Sequence, residues 1–185
     1  MKNYTSVENI ENYLLIEIDE GFEPQVKRWI ESTEEYIDKE TGRNFVADKE
    51  FSVRKYDGTG DSELLIDDCV EIKNVKIDGE EKEVLSYPAN DLPKTKIALD
   101  GDKFTKGKQN IEVTAKWGYS EKVPADIEAA ATILVAGIIN RSLSHEGEVQ
   151  SVNMGRYSVT YKTERQWNDY DNVQNTLKKY QKYHV

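Results

Sequence analysis

Apolar positions recur every three or four residues in four stretches of the chain, and each stretch predicts a helix. The first of these predicted helices stops at Gly21, and the second runs from Pro24, which a first helical turn tolerates, to Gly42. The third starts after Pro124 and is apolar on nearly all sides, which is typical of a central helix covered by neighbours. The last begins at about Glu164, and its periodic residues are Trp167, Tyr170, Val173, Leu177 and Tyr180.

Between the second and third helices the hydrophobic period changes to two. The dipeptide Asp78-Gly79 is a strong hairpin signal, with Val84, Leu85 and Tyr87 after it as a returning strand. Another strand is expected at Tyr157 to Tyr161. The clearest alternation with polar residues is that of Ile111, Val113, Ala115 and Trp117.

Together these patterns predict an α+β fold in one domain over residues 1–185. We expect a helical bundle around a central apolar helix at about 124–144. A small antiparallel β-sheet at about 45–119 would be a β-rich insertion between the helices.

The composition of the central helix is explained by packing. Its apolar run, 129–139, covers eleven residues, whereas a helix that crosses a bilayer needs about 20, so we expect it to be buried in protein. Its alanines would let neighbouring helices approach closely. The face predicted to pack against the Trp29 side of the second helix consists of Ile127, Ala130, Ala131, Leu134 and Ile138.

Charge and cysteine content narrow the function classes. The 35 acidic residues outnumber the 25 basic ones, so the field of the chain repels phosphates and anionic lipids and argues against broad binding of nucleic acid or membrane surfaces. Cys69 is the single cysteine, which excludes an intrachain disulfide and fits a reducing interior. The first residues do not read as a signal peptide, so a cytoplasmic location is expected.

Candidate catalytic chemistry is sparse. His145 and His184 lie in a predicted loop and at the C-terminal tip, with no acid, nucleophile or metal partner suggested nearby. No phosphate-binding loop, zinc-type spacing or nucleophile elbow is present in the sequence. We therefore predict no catalytic residue, no cofactor and no metal.

One loop partly matches a calcium-binding pattern. Position six of that pattern is Ser62, where such loops require glycine, and position twelve is Asp68 in place of the longer glutamate. A solvated turn between strands is therefore favoured over a metal site. The oxygen-bearing residues at the pattern's positions one, three, five, seven and twelve are Asp57, Thr59, Asp61, Glu63 and Asp68.

The C-terminal segment, residues 164–185, carries aromatic residues in a hydrophilic setting. Two interpretations remain open: the aromatics form a docking surface for a partner, or they attach the last helix to the sheet. The residues concerned are Trp167, Tyr170, Tyr180 and Tyr183.

Three motifs follow one another in the stretch WGYSEKVPADIEAAATILVAGIIN: aromatic-Gly-Tyr, Val-Pro-x-Asp-Ile and an alanine-rich helix. This stretch resembles the head-tail connector (adaptor, or head-completion) proteins of long-tailed bacteriophages and prophages. The predicted helix that ends in TEEYIDKETGRNF and the turn-strand segment YDGTGDSELLIDDCVEI also resemble that family. The resemblance extends from about Val7 to Thr163.

The resemblance implies a structural protein, with no enzymatic activity, in the virion neck, assembled in the bacterial host cytoplasm. Members form a ring, commonly a dodecamer, under the portal protein, extend the DNA channel, and provide the platform for the next neck (stopper or head-closure) protein and the tail. Double-stranded DNA would cross the lumen without sequence-specific binding, and no membrane is involved. The segment 164–185 would dock on the portal through Trp167, Tyr170, Tyr180 and Tyr183.

Two alternatives remain open at the level of the sequence. One is a different phage neck or tail-completion assembly protein, which would share the ring but not the portal partner. The other is a small ligand-binding protein or enzyme, which would require a pocket with convergent polar groups.

Overall fold

The computed structural model describes residues 2–143, 151–154, 157–160 and 163–182, with side chains for residues 2–143 and 171–182. Within these ranges the chain forms helices and an antiparallel sheet, which confirms the α+β class. It divides into two compact units. We call residues 1–42 with 123–185 the helical unit, and residues 43–122 the sheet unit.

Four helices and a short hairpin make up the described part of the helical unit. The helices are α1 (Val7–Leu14), α2 (Glu23–Thr41), α3 (Ala125–Leu143) and α4 (Thr163–Tyr180). The hairpin strands β7 (Ser151–Met154) and β8 (Tyr157–Thr160) pair antiparallel, so the strand expected at 157–161 is present.

Local chemistry sets most of the helix ends. The Ser6 hydroxyl accepts a hydrogen bond from the Asn9 N–H at 3.1 Å and caps α1. Gly42 ends α2 with a φ of 67°, a left-handed conformation that glycine adopts without strain. The first predicted helix is too long, however, because Leu15 also takes a left-handed conformation and ends α1 at Leu14.

The core of the helical unit forms where α3 contacts each of the other three helices. On α3, Ile127, Ala130 and Ala131 are buried, whereas Leu134 and Ile138 are only half-buried. The buried face continues through the neighbouring positions instead. One cluster of fully buried side chains in this unit consists of Ile10, Val26, Ile30, Val135 and Ile139.

A buried carboxylate holds the start of the chain to α2. Glu34 is 4% exposed, and its carboxylate accepts hydrogen bonds from the backbone N–H of Lys2 at 2.9 Å and of Tyr4 at 3.0 Å. The hydroxyls of Thr5 and Thr132 share a hydrogen bond of 2.6 Å, which joins this segment to α3. These polar groups are paired, so their burial does not leave an unsatisfied donor or charge.

The sheet unit contains a six-stranded antiparallel sheet among the described residues, larger than the small sheet predicted from the sequence. Its path is β1-β6-β2-β5-β4, with β3 paired to β2 outside that path. The long strands β2 and β6 have 15 and 11 residues, and breaks in register along β2 let it pair with three different strands. The strands are β1 (Ser52–Gly58), β2 (Glu63–Ile77), β3 (Glu80–Lys82), β4 (Leu85–Tyr87), β5 (Lys94–Ala98) and β6 (Gly107–Trp117).

The hairpin predicted at Asp78-Gly79 is present, but its returning strand differs from the prediction. Asp78 and Gly79 have φ values of 53° and 87°, as tight hairpin turns require, and they connect β2 to β3. The residues predicted to return, 84–87, lie beyond β3, and Leu85–Tyr87 pairs with β5 instead. β4 thus pairs with the strand that follows it in the chain and not with the strand that precedes it.

The two adjacent isoleucines near the end of α3 test which face of this helix is buried. Ile139→Ala should lower the free energy of unfolding by roughly 2–5 kcal/mol because Ile139 is fully buried. Ile138→Ala, at a half-buried position, should cost only about 1 kcal/mol. Urea denaturation followed by circular dichroism measures both, and a larger loss for Ile138→Ala would contradict the observed packing.

Candidate functional site

The aromatic-Gly-Tyr motif of residues 117–119 lies at the end of β6. Trp117 is 1% exposed, and its indole N–H donates to the Ser52 carbonyl at 3.0 Å. The guanidinium of Arg54 lies 4.5 Å from the ring centroid, within the range of a cation–π contact. The tryptophan therefore anchors β6 to β1 and closes one end of the sheet core.

Gly118 is required by a close approach of two backbone segments. Its φ is +140°, and a Cβ at this position would lie 2.4 Å from the Cα of Ala47. Its N–H donates to the Asp68 carbonyl at 2.7 Å. No side chain fits here without moving the segment around Ala47.

Tyr119 completes the contact between the two ends of the sheet unit. Its backbone N–H donates to the Asn44 carbonyl at 2.7 Å, and its ring lies 5.5 Å from that of Phe45. The Ala47 N–H donates to the Ser120 carbonyl at 2.8 Å. We call the contact between residues 43–48 and 117–120 the entry clasp, because it joins the segment entering the sheet unit to the segment leaving it.

A buried ion pair supports the entry clasp. Arg43 Nη1 donates to both carboxylate oxygens of Asp68 at 2.9 and 2.8 Å, and Asp68 is 3% exposed. The Arg43 guanidinium also lies 5.4 Å from the centroid of the Tyr119 ring. The sequence did not identify this pair, because its partners are separated by 25 positions and Asp68 was considered only as the last residue of the calcium-like loop.

The loop that partly matched a calcium-binding pattern has its oxygens directed to separate partners. Asp57 accepts from the Gln109 N–H at 2.7 Å, Glu63 pairs with Lys96 at 2.9 Å, and Asp68 is held by Arg43. Residues 63–68 are part of β2, which keeps this half of the loop extended. Among the described residues, no group of three or more His, Cys, Asp or Glu side chains is placed to hold a metal ion.

Cys69 lies in the core of the sheet unit. Its side chain is fully buried, and burial, reinforced by the nearby Asp68 carboxylate, raises the pKa of the thiol to about 12. Burial likewise raises the pKa of the neighbouring Tyr56 phenol, whose hydroxyl donates to Asp67 at 3.0 Å. Both groups are protonated at neutral pH, so neither is an activated nucleophile.

A cleft of about 530 Å³ lies beside β2, next to the connection from β3 to β4. Its lining includes Ile72, Asn74, Lys82 and Glu83, and the Asn74 side-chain oxygen is buried without a hydrogen-bond partner. The lining contains no histidine, cysteine or aspartate. The titratable residues of the lining are Lys73, Glu81, Lys82 and Glu83.

The described part of the C-terminal segment packs inside the helical unit. Val173 and Leu177 are 1% and 2% exposed, and α4 contacts both α2 and α3. The Tyr180 hydroxyl donates to the Asp126 carboxylate at 2.9 Å, and the Lys182 N–H donates to the Thr41 carbonyl at 2.9 Å. The described part of the last helix is thus attached to α2 and α3 within the helical unit.

The structure describes less of the other aromatic residues predicted to dock on a partner. Trp167 and Tyr170 fall on the backbone of α4, but their side chains lie outside the described residues, as does all of Tyr183. His145 and His184 also lie outside the described residues.

In the part of the chain that the structure describes, no helix is both long enough and apolar enough to cross a membrane.

No protein-family model matches the chain, and no curated protein sequence matches it. Solved structures do match its fold over the whole chain. One match belongs to the neck of an empty GTA (gene transfer agent) particle computed with C6 symmetry, with a TM-score of 0.59 and 12% identity. Another belongs to the neck of a native GTA particle computed with C12 symmetry, with a TM-score of 0.59 and 11% identity.

Each comparison covers 100% of this chain and 92% of the other chain. The likeness therefore includes both compact units and their order along the sequence. At 11–12% identity it shows a shared fold with neck proteins of phage-like particles.

Two glycines in different settings test the role of the entry clasp. Gly118→Ala should lower the free energy of unfolding by roughly 2–4 kcal/mol, because the new Cβ strains φ and meets the Ala47 backbone. Gly137→Ala is the matched control, since a Cβ there meets nothing within 4 Å. It should stabilise α3 by roughly 0.5–1 kcal/mol. Calorimetric melting measures both changes. A Gly118→Ala variant with unchanged stability would show that the backbone segments of the entry clasp do not approach each other this closely.

The thiol of Cys69 should resist alkylation while the chain is folded. We expect negligible reaction with iodoacetamide at pH 8, because burial keeps the thiol protonated and out of contact with the reagent. Reaction should become complete in denaturing urea. A variant carrying an additional exposed thiol, Ser62→Cys, is the control and should react at the rate of a free thiol at that added position. Rapid modification of Cys69 in the folded protein would contradict its placement.

Proposed function

We propose that this chain is a structural head-tail connector, or adaptor, in the neck of a phage-like particle. The observation that carries the proposal is the fold likeness to neck proteins of gene transfer agent particles over 100% of this chain. The motif from residue 117 to residue 140, which resembles connector proteins, adds independent support from the sequence. The connector would sit under the portal protein and provide the platform for the next neck protein and the tail.

A ring of copies follows from this role. The similar fold in a neck computed with C12 symmetry supports twelve copies around the DNA channel. With a formal net charge of −10 per chain, such a ring repels the DNA backbone on average, so DNA would cross the lumen without sequence-specific binding.

A non-catalytic role agrees with the way in which the described residues are used. Asp68 and Arg43 pair with each other, Glu34 holds the N-terminal backbone, and Cys69 is buried in the sheet core. These groups stabilise the fold. We therefore propose that the protein is not an enzyme and requires no cofactor.

For the portal contact we propose the aromatic residues of the C-terminal segment, with Trp167 and Tyr170 as the principal anchors and Tyr183 as a further contact residue. Tyr180 also belongs to this set, but its hydroxyl already bonds Asp126 within the helical unit. Removing the whole segment after Thr163 would also remove Val173 and Leu177 from the core. Point variants therefore separate docking from folding better than a truncation does.

The connector proposal is tested by capture of the portal protein. The full chain should retain portal from a lysate of particle-producing cells, and the double variant Trp167→Ala/Tyr170→Ala should bind it at least about tenfold more weakly with an unchanged melting temperature. Leu65→Ala, which removes an exposed side chain outside the C-terminal segment, is the control and should bind portal as the unmodified chain does.

Each alternative gives a different result in the same experiment. Capture of tail proteins without portal would favour a tail-completion role. If portal binding survives the double variant, the docking surface lies elsewhere in the chain.

A further inference from the structure

Strand β2 has a gap along one of its two edges. β6 pairs with β2 over the range from Cys69 to Ile77 and so occupies one edge. Cys69 also pairs with β5, and residues 75–77 also pair with β3, so these two strands lie along the opposite edge. Between them, within the described sheet unit, no strand or loop backbone is bonded to residues 70–74 along that opposite edge. About 17 Å of extended main chain therefore lacks a ladder partner on this side.

The cleft of about 530 Å³ opens along this gap. One wall is part of β2, residues 72–75, and the facing wall consists of residues 81–84 and Ser86, where the chain passes from β3 to β4. β4 pairs with β5 and not with β2, so it lies one strand farther out in the sheet. The cleft thus lies where the ladder lacks a strand, and its volume is in the range of ligand-binding clefts.

β2 is bulged beside the cleft. Ile72 and Asn74 pair with consecutive residues of β6, so Lys73 between them is an extra residue. Bulges redirect side chains and recur next to binding sites. Asn74 lines the cleft, and its side-chain oxygen is buried without a hydrogen-bond partner. Because the terminal torsion of an asparagine is soft, a donor in the cleft can draw this oxygen into a hydrogen bond.

The charged side chains of the cleft balance one another. Two are positive and two are negative, so the lining does not favour an anion or a cation over a neutral occupant. The gap in the ladder calls for a group that offers both N–H donors and C=O acceptors, as a polypeptide main chain does. The four side chains are Lys73, Glu81, Lys82 and Glu83.

We propose that the cleft binds an extended, uncharged peptide segment of another protein, which pairs with residues 70–74 of β2 as an added strand. The main chain of this segment completes the ladder, and a donor on it bonds the Asn74 oxygen. Ile72 and Val84, both half-buried in the lining, contact its alternate side chains. All residues of the site belong to the sheet unit, so binding requires neither a ring of copies nor the portal contact.

Hydrogen exchange tests the gap in the free chain. Those amides of residues 70–74 that do not bond β6 should exchange at least about a hundredfold faster than those that do, because they have no ladder partner. Uniformly slow exchange across residues 70–74 would show that a segment of the same chain already fills the cleft, and would overturn the proposal.

A pool of synthetic pentapeptides tests the occupant. Each is acetylated and amidated, and alternates Thr or Ser with Val, Leu or Tyr. Nuclear magnetic resonance titration up to about 5 mM peptide detects even weak strand addition. At least one member should shift the amide resonances of residues 70–74 and 82–84 in a saturable way and slow exchange in the gap. A pool with no such member would contradict the proposed occupant.

Methylation of the peptide nitrogens tests the mode of binding. An added strand faces β2 with only one of its edges, so methylating every other nitrogen in one register should weaken binding at least about tenfold. Methylating the intervening nitrogens is the matched control and should have a smaller effect. Equal affinity of the two methylated peptides and the unmodified one would exclude pairing through the main chain.

Variants of the two walls test the site itself. Asn74→Leu should raise the melting temperature, because it removes a buried oxygen without a partner, and should weaken peptide binding about tenfold. Ser86→Tyr, which places a ring in the cleft from the facing wall, should abolish binding. Leu65→Ala, at an exposed position outside the lining, is the control and should bind as the unmodified chain does. Circular dichroism verifies folding, and unchanged binding by a folded Ser86→Tyr variant would overturn the assignment of the cleft.

Discussion

The sheet unit depends on the close approach of two backbone segments, one around Ala47 and the other at Gly118. Both lie beside the buried pair of Arg43 and Asp68, and the Gly118 N–H bonds the backbone carbonyl of that same aspartate. Because Asp68 is 3% exposed, loss of Arg43 would leave an uncompensated buried charge, at a cost of roughly 3–5 kcal/mol. Strand β2, which supplies Asp68, is thereby linked to both ends of the unit.

In the helical unit the corresponding constraint is the burial of α3. A helix that is apolar nearly all round is stable in water only where several neighbours cover it, and α1, α2 and α4 all contact it. In the part of α4 whose side chains are described, Val173 and Leu177 are buried and hold this largely hydrophilic helix against the core.

Charge is distributed unevenly between the parts of the chain. The first 42 residues carry most of the negative charge, while the sheet unit contains 14 basic and 17 acidic residues. Screening at physiological salt limits each surface charge to a range of about 8 Å, so the local balance of charge, and not the average over the chain, decides what a given surface attracts.

The sequence by itself determined the elements that short-range chemistry controls. These include the capped start of α1, the glycine end of α2, the turn at Asp78-Gly79 and the α+β class, because caps, turns and hydrophobic period are encoded within a few residues. Tertiary structure decided which face of α3 is most deeply buried, which strand Leu85–Tyr87 pairs with, and that the Asp68 carboxylate pairs with Arg43. These outcomes depend on partners outside the local segment, 25 residues away for Arg43 and Asp68, and a local pattern contains no information about which of the available surfaces will cover it.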